Sequence, residues 1–381
     1  MRSTCRFFSM KRWLFIVLPA IMLLFTSCKE QAEDPKTRSF QMGVTPWPAD
    51  FTTQEIDAAY GFIDSHCDLV SHHFDEGIPY EEAFNNSNWP AALLSDIQTR
   101  KSKTPASKKL LLSSSVLALN RHEKAPYSRY SASVSTATKN QWQALPFNDA
   151  KMVTAYVNFM KLLIDSLQPT FINYAVESNV ESWSTATFAQ YKEFVSKVYQ
   201  QLKTAYPSTP ILLSFIVNET PQSLNFATQL VPYTDYIALS AYPYTNVSSS
   251  AGGNTDPALF PADYFTRFID LAPNKSPCFA ETGYIAEPLS IFAFGLSKQG
   301  SETWQQAYLE RICELMNERK GKFIVWFCHK DYNAGVLRLK AAGAYQDLFG
   351  LWADIGLISE TNEQRSAYRT WLEWMSKRVV Q

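Results

Sequence analysis

Asn173-Tyr174-Ala175-Val176-Glu177-Ser178-Asn179 is the stretch from which the rest of the chain is read. It continues Pro169-Thr170-Phe171-Ile172, so an apolar run with the length of a short buried strand ends in a glutamate and an asparagine. Burying a charge costs on the order of several kcal/mol unless the group is paired or put to use. In a parallel α/β barrel the carboxyl end of a strand is where the active site lies. The pattern recurs further along, where Pro277-Cys278-Phe279-Ala280 is again short and apolar and ends in Glu281-Thr282-Gly283-Tyr284.

Working outward from these two, further strands are predicted at 39–44, 67–73, 110–116, 210–217, 235–241 and 322–327. Helical patterns fall between most of them. Thr52-Thr53-Gln54-Glu55 has the form of a capping box. Met152, Val153, Tyr156, Phe159, Met160 and Leu163 recur at helical spacing. Helices are also expected near 185–206, 221–230, 261–271, 301–318 and 365–378. Residues 117–147 read as a long polar loop, and 245–258 as a second, rich in Ser, Gly and Asn. Loops of this length in a compact domain are usually functional, and these two would shape a cleft. Eight continuously apolar strands alternating with helices predict the α/β class and a (β/α)8 TIM barrel, in a single domain over 39–381. An open doubly wound sheet competes, but no Gly-rich phosphate loop follows the first strand.

Residues 1–27 read as a signal peptide: Lys11-Arg12, an apolar run from Trp13 to Phe25, then small residues. That run is too short for a comfortable membrane span. Phe25-Thr26-Ser27-Cys28 resembles a bacterial lipobox, which makes Cys28 the lipidation site. Residues 28–38 are polar and read as a tether. The protein is thus expected in the cell envelope, exported and lipid-anchored to a bacterial membrane, facing the periplasm or the cell surface. Export permits disulfides among Cys67, Cys278, Cys313 and Cys328, but three of these lie in apolar strand-like runs that suit free buried thiols. A net charge of −1 gives no electrostatic case for nucleic acid. Aromatic residues make up 14% of the chain, which suits the apolar faces of sugars as well as a large core.

Two carboxylates facing each other across a barrel mouth suit cleavage of a glycosidic bond: one protonates the leaving oxygen, the other attacks the sugar. Glutamates that end strands four and seven of such a barrel resemble the signature of glycoside hydrolase clan A. The stretches Tyr236-Ile237-Ala238-Leu239-Ser240-Ala241-Tyr242-Pro243-Tyr244 and Phe279-Ala280-Glu281-Thr282-Gly283-Tyr284 look like the matching parts of family 53 endo-β-1,4-galactanases. The resemblance implies a retaining hydrolase of polysaccharide or oligosaccharide, with Glu177 as acid/base and Glu281 as nucleophile. It also implies that Tyr242 hydrogen-bonds the nucleophile and that Trp326 floors the subsite of the reacting sugar. One position departs from the pattern: the clan usually places Asn directly before the acid/base, where Val176 stands here.

Other expected sugar contacts are Trp47 as a stacking platform, His73 as a hydroxyl ligand and Asn179 beyond the strand end. The chemistry needs no cofactor, and no His or Cys spacing suits a metal. The expected partners are a carbohydrate and, through Cys28, a membrane, with the chain a monomer. The competing function is a non-catalytic, surface glycan-binding lipoprotein on a degenerate barrel, with Val176 as the mark of lost catalysis. Two carboxylates in an open aromatic cleft would favour the enzyme, and a Glu177 held in a salt bridge would favour the binder.

Overall fold

The computed structural model describes residues 37–245 and 256–380. The signal-peptide stretch with Cys28, most of the tether and most of the loop at 245–258 lie outside the described residues.

Strands β1 (Gln41–Val44), β2 (Leu69–Phe74), β3 (Lys109–Ser114), β4 (Phe171–Ala175), β5 (Ile211–Ile216), β6 (Ile237–Ala241), β7 (Pro277–Thr282) and β8 (Phe323–Trp326) form a closed barrel. Each pairs in parallel with the next in chain order, and β8 returns to β1. This is the (β/α)8 architecture, and it explains the apolar runs. A strand whose one face fills the barrel and whose other face meets a helix has no wet side. Phe171 and Phe323 meet inside the barrel with ring centroids 4.7 Å apart. Tyr174, one residue out of phase with Asn173, points outward and donates to the carbonyl of Tyr233 at 2.9 Å.

The helices start where local chemistry tells them to. Thr52 accepts from Glu55 N at the head of Thr53–His66, and Ser184 from Thr187 N at the head of Thr185–Ala205. Several expectations are corrected. The stretch 117–147 is not all loop: Ser135 caps a helix over Thr136–Ala144, whose Trp142 stacks on Tyr80. The helix expected at 261–271 is confined to Thr266–Ile269. A helix over Asn333–Ala341 and a hairpin of Leu289–Ile291 with Leu296–Lys298 carried no clear periodic signal.

Thr37 and Arg38, expected in the tether, belong to the barrel domain instead. Thr37–Arg38 pair in parallel with Arg378–Val379. Arg38 is 2% exposed and grips Asp68 with both terminal nitrogens, at 2.7 and 3.2 Å. A buried guanidinium needs such a partner, so these two residues belong to the fold. They sit before β1, at the end of the barrel opposite the carboxyl ends of the strands. Cys67, Cys278, Cys313 and Cys328 are free and buried.

Candidate active site

The carboxyl ends of the strands surround a pocket with about 760 Å³ of empty space, counted out to its open mouth. Glu177 and Glu281 both line it, together with the rings of Trp47, Phe327, Tyr332, Phe349 and Trp352.

Glu177 is reached through a break in the sheet. The pairing of β4 with β5 slips a residue between Asn173 and Ala175, the strand stops, and the chain turns. Glu177 itself takes φ +55°. Its backbone N–H donates to Ser214 Oγ at 3.0 Å, which pins the turn to β5. Both carboxylate oxygens are engaged: Ser240 Oγ donates to Oε1 at 2.6 Å and Arg121 Nε to Oε2 at 2.8 Å. Glu281 arrives by a second slip, between β6 and β7, which places it beside Ser240. Ser240 is thus the strand neighbour of one glutamate and the hydrogen-bond donor to the other. Tyr242 Oη donates to Glu281 Oε1 at 2.5 Å. Gly283 lets the chain leave closely behind: a Cβ there would stand 2.7 Å from the carbonyl oxygen of Phe327.

His73 lies between two acids, with Nε2 3.6 Å from Glu281 Oε2 and Nδ1 3.6 Å from Asp75 Oδ2. Burial would lower the His73 pKa, but Asp75 and Glu281 outweigh it and the net direction is up. Burial would raise Asp75, but His73, Arg121 and Arg100 bring it below the usual carboxylate range. Burial and the nearby Glu177 push Glu281 up, against the pull of His73, Tyr242 and Arg121. Burial opposes the charge on Arg121 too, yet Glu177, Asp75 and Glu281 raise its pKa.

Two expected sugar contacts are corrected. Asn179 does not reach the pocket. It is fully buried: Nδ2 donates to Ile216 O at 3.0 Å and Ser223 Oγ at 2.7 Å, and Oδ1 accepts from Ile216 N at 2.7 Å. The turn after Ala175 carries it sideways to the end of β5, so its amide is spent on stitching. Trp326 does not floor the site either. It is fully buried beside Tyr308 of the helix Glu302–Glu318, with Nε1 donating to Ile355 O at 2.9 Å. Alternation along β8 puts Phe323, Val325 and Phe327 on the inner face, and Phe327 is the ring in the pocket. Trp47 and His73 do line the pocket. Val176 is buried and offers no polar contact.

Asp75, Arg121, Ser240, Phe327 and Trp352 went unnoticed in the sequence. Counting by two from His73 reaches Asp75, back from Tyr242 reaches Ser240, and on from Phe323 reaches Phe327. Arg121 carried no signal, because its partner lies 56 positions away. Among the described residues, one group of acids could share an ion, namely Glu287, Asp331 and Glu360, but Arg365 already pairs with Glu287 at 2.6 Å and with Asp331.

The fold class is a closed (β/α)8 barrel, with Glu177 beyond strand four and Glu281 on strand seven at one pocket. Solved structures share it at low identity. An exo-β-1,4-mannosidase, Op5Man5, from Opitutaceae bacterium strain TAV5 superposes with TM-score 0.58 at 15% identity over 90% of this chain. The chain spans 60% of that enzyme's length. A GH5_18 protein of Streptomyces cattleya in complex with Manβ1-4GlcNAc gives TM-score 0.63 at 12% identity, covering 88% of this chain and 80% of that one. The GH53 catalytic domain of Ignisphaera aggregans gives 0.56 at 15% identity, covering 88% and 96%. No protein-family profile and no curated protein matches the sequence.

Proposed function

We propose that this protein is a retaining glycoside hydrolase acting on a polysaccharide or oligosaccharide. One observation carries the reading: Glu177 and Glu281 line the same aromatic pocket, and Tyr242 and Ser240 each hold one of them by an oxygen. Glu281 would attack the anomeric carbon while Glu177 protonates the departing oxygen. The C–O bond breaks and a glycosyl ester forms on Glu281. Glu177 then takes a proton from water, which attacks the ester and releases the sugar. Trp47, Phe327 and Trp352 offer ring faces to the sugar's apolar side. The glycosidases among the structural neighbours support a carbohydrate substrate.

The ion pair of Arg121 with Glu177 favours a second reading, a glycan-binding protein without turnover. In that case Val176 and Arg121 together mark a site turned from reaction to recognition.

The lipid anchor at Cys28 and the envelope location belong to this proposal too. Thr37–Arg38 stand at the barrel end opposite the pocket, an exit suited to a pocket that faces away from a membrane.

The test is incubation of the full chain with a panel of plant and microbial polysaccharides and aryl glycosides, with Glu281→Gln alongside. Sugar release by the native protein and not by the variant supports the hydrolase. Binding by both without release supports the binder.

A further inference from the structure

The pocket holds a charge array that the two-glutamate scheme does not use. His73 ends β2 on its inner face, and each of its ring nitrogens looks at a carboxylate, Nδ1 at Asp75 and Nε2 at Glu281. At 3.6 Å these are ion-pair distances rather than formed hydrogen bonds. A neutral imidazole has one N–H and one lone pair. Whichever tautomer it took, it would turn a lone pair toward one of the two acids. The imidazolium has a donor for each. His73 Nε2 is buried and makes no hydrogen bond, so nothing else among the described residues claims it.

The other groups around it have partners already. Arg121, beyond β3, is tied to Glu177 on β4. Arg100, on the helix Ala91–Lys103, donates to the carbonyl of His73 and pairs with Glu76 and Asp96. Tyr242, beyond β6, occupies the other oxygen of Glu281. His72 points outward to Thr104. From β1 and β8 the pocket receives Thr45, Trp47, Phe327 and Tyr332, of which only Tyr332 titrates, and burial pushes its phenol up so that it stays neutral.

We propose that Asp75 is a positioning residue that holds His73 as the cation facing Glu281, so that the buried Glu281 is kept as an anion. The inference deepens the hydrolase reading and rests on it where it speaks of attack on the sugar. Burial works against a carboxylate at Glu281, and a nucleophile must be ionised. Tyr242 supplies one hydrogen bond but no charge. His73 supplies the charge, and Asp75 keeps it there. The net upward direction of His73 agrees with this order of effects.

The test is a pH titration from 5 to 9 of the full chain labelled with 15N at histidine, followed by imidazole long-range correlations, with His73→Gln to assign the signal. His73 is expected to titrate above 6.5, and to fall by about one pH unit in Asp75→Asn and in Glu281→Gln, a tenfold change in protonation. Asp75→Glu should restore most of the shift. A His73 that titrates at or below 6.5, or that ignores Asp75→Asn, overturns the inference whether or not the protein turns over a substrate. On any substrate the native chain cleaves, the acid limb of kcat/KM, set by ionisation of Glu281, should move to higher pH in Asp75→Asn and return in Asp75→Glu. An unmoved limb overturns the link to the nucleophile. The expected titration in a chain that cleaves nothing upholds the Asp75–His73 pair and sinks the hydrolase reading alone.

Discussion

Arg121 Nε donates to Glu177 Oε2 at 2.8 Å, and both residues hold left-handed backbone, at φ +58° and +55°. Each such conformation costs a non-glycine residue roughly 1 kcal/mol or more. The ion pair, 10% and 18% exposed at its two side chains, offsets that strain. Arg121→Ala should destabilise the fold by about 3 kcal/mol, since it leaves a largely buried carboxylate without its cation. Arg121→Gly loses the same pair but adopts the turn freely, and should be about 1 kcal/mol less damaging. Urea denaturation of both variants decides it, and equal losses would contradict the strain account.

Glu177 and Glu281 should separate by leaving group. Glu177→Gln is expected to slow cleavage of a sugar–sugar bond by about 10²–10⁴-fold. A dinitrophenyl glycoside, whose leaving oxygen needs no proton, should suffer far less in the first step. Glu281→Gln should be inactive on both. Burst kinetics on the activated substrate distinguish the two roles, and a variant pair with identical profiles would rule the assignment out.

Asn179 should behave as a structural residue. Its side chain spans from the turn after β4 to Ile216 and Ser223, and Asn179→Ala strands the half-buried Ile216 N–H. The expected cost is about 2–3 kcal/mol, read as a fall of several degrees in Tm by calorimetry. KM on any cleaved substrate should stay within about twofold, roughly 0.4 kcal/mol. A raised KM with an unchanged Tm would restore it as a ligand.

Trp326 and Phe327 should give opposite results. Trp326→Ala removes a fully buried ring and its hydrogen bond to Ile355, at a cost of about 3–5 kcal/mol. Phe327→Ala empties part of the pocket wall instead. It should weaken sugar binding by about tenfold, some 1.4 kcal/mol, with a smaller loss of stability. Denaturation curves and glycan-binding isotherms on the same two proteins make the comparison.

Stability should fall on acidification below the ordinary histidine range. Burial holds His72 at about 3 and His329 at about 4, against 6.5 when unfolded. Both are neutral in the fold, so the unfolded chain binds more protons between 6.5 and these values. Each therefore contributes stability that is full above 6.5 and is lost as pH falls toward the folded value, by about 1.4 kcal/mol per pH unit. Urea midpoints measured from pH 7 to 4.5 should slope accordingly, and His72→Gln should flatten the slope. An unchanged slope would mean that His72 is not the group responsible.

Much of the barrel was legible in the sequence because a strand buried on both faces must be apolar throughout and short. The two glutamates stood out for the same reason, as charges at the ends of such runs. Errors came where the period of two met a turn. Asn179 shares the parity of Glu177, but β4 had already ended at Ala175. Trp326 is the larger ring, yet parity from Phe323 selects Phe327. The two-residue strand Thr37–Arg38 was hidden by its polar composition, since its partner Arg378–Val379 comes from the other end of the chain.

The sequence by itself determined the barrel and the strands that carry Glu177 and Glu281, because local pattern and strand length are properties of neighbouring residues. Only the tertiary structure decided what surrounds the two carboxylates. Arg121 meets Glu177 across 56 positions, Tyr242 meets Glu281 across 39, and His73 reaches Glu281 from β2 to β7. Barrel closure and two one-residue slips in register create those contacts. No local pattern encodes them, because each depends on where strands far apart in the chain come to rest against one another.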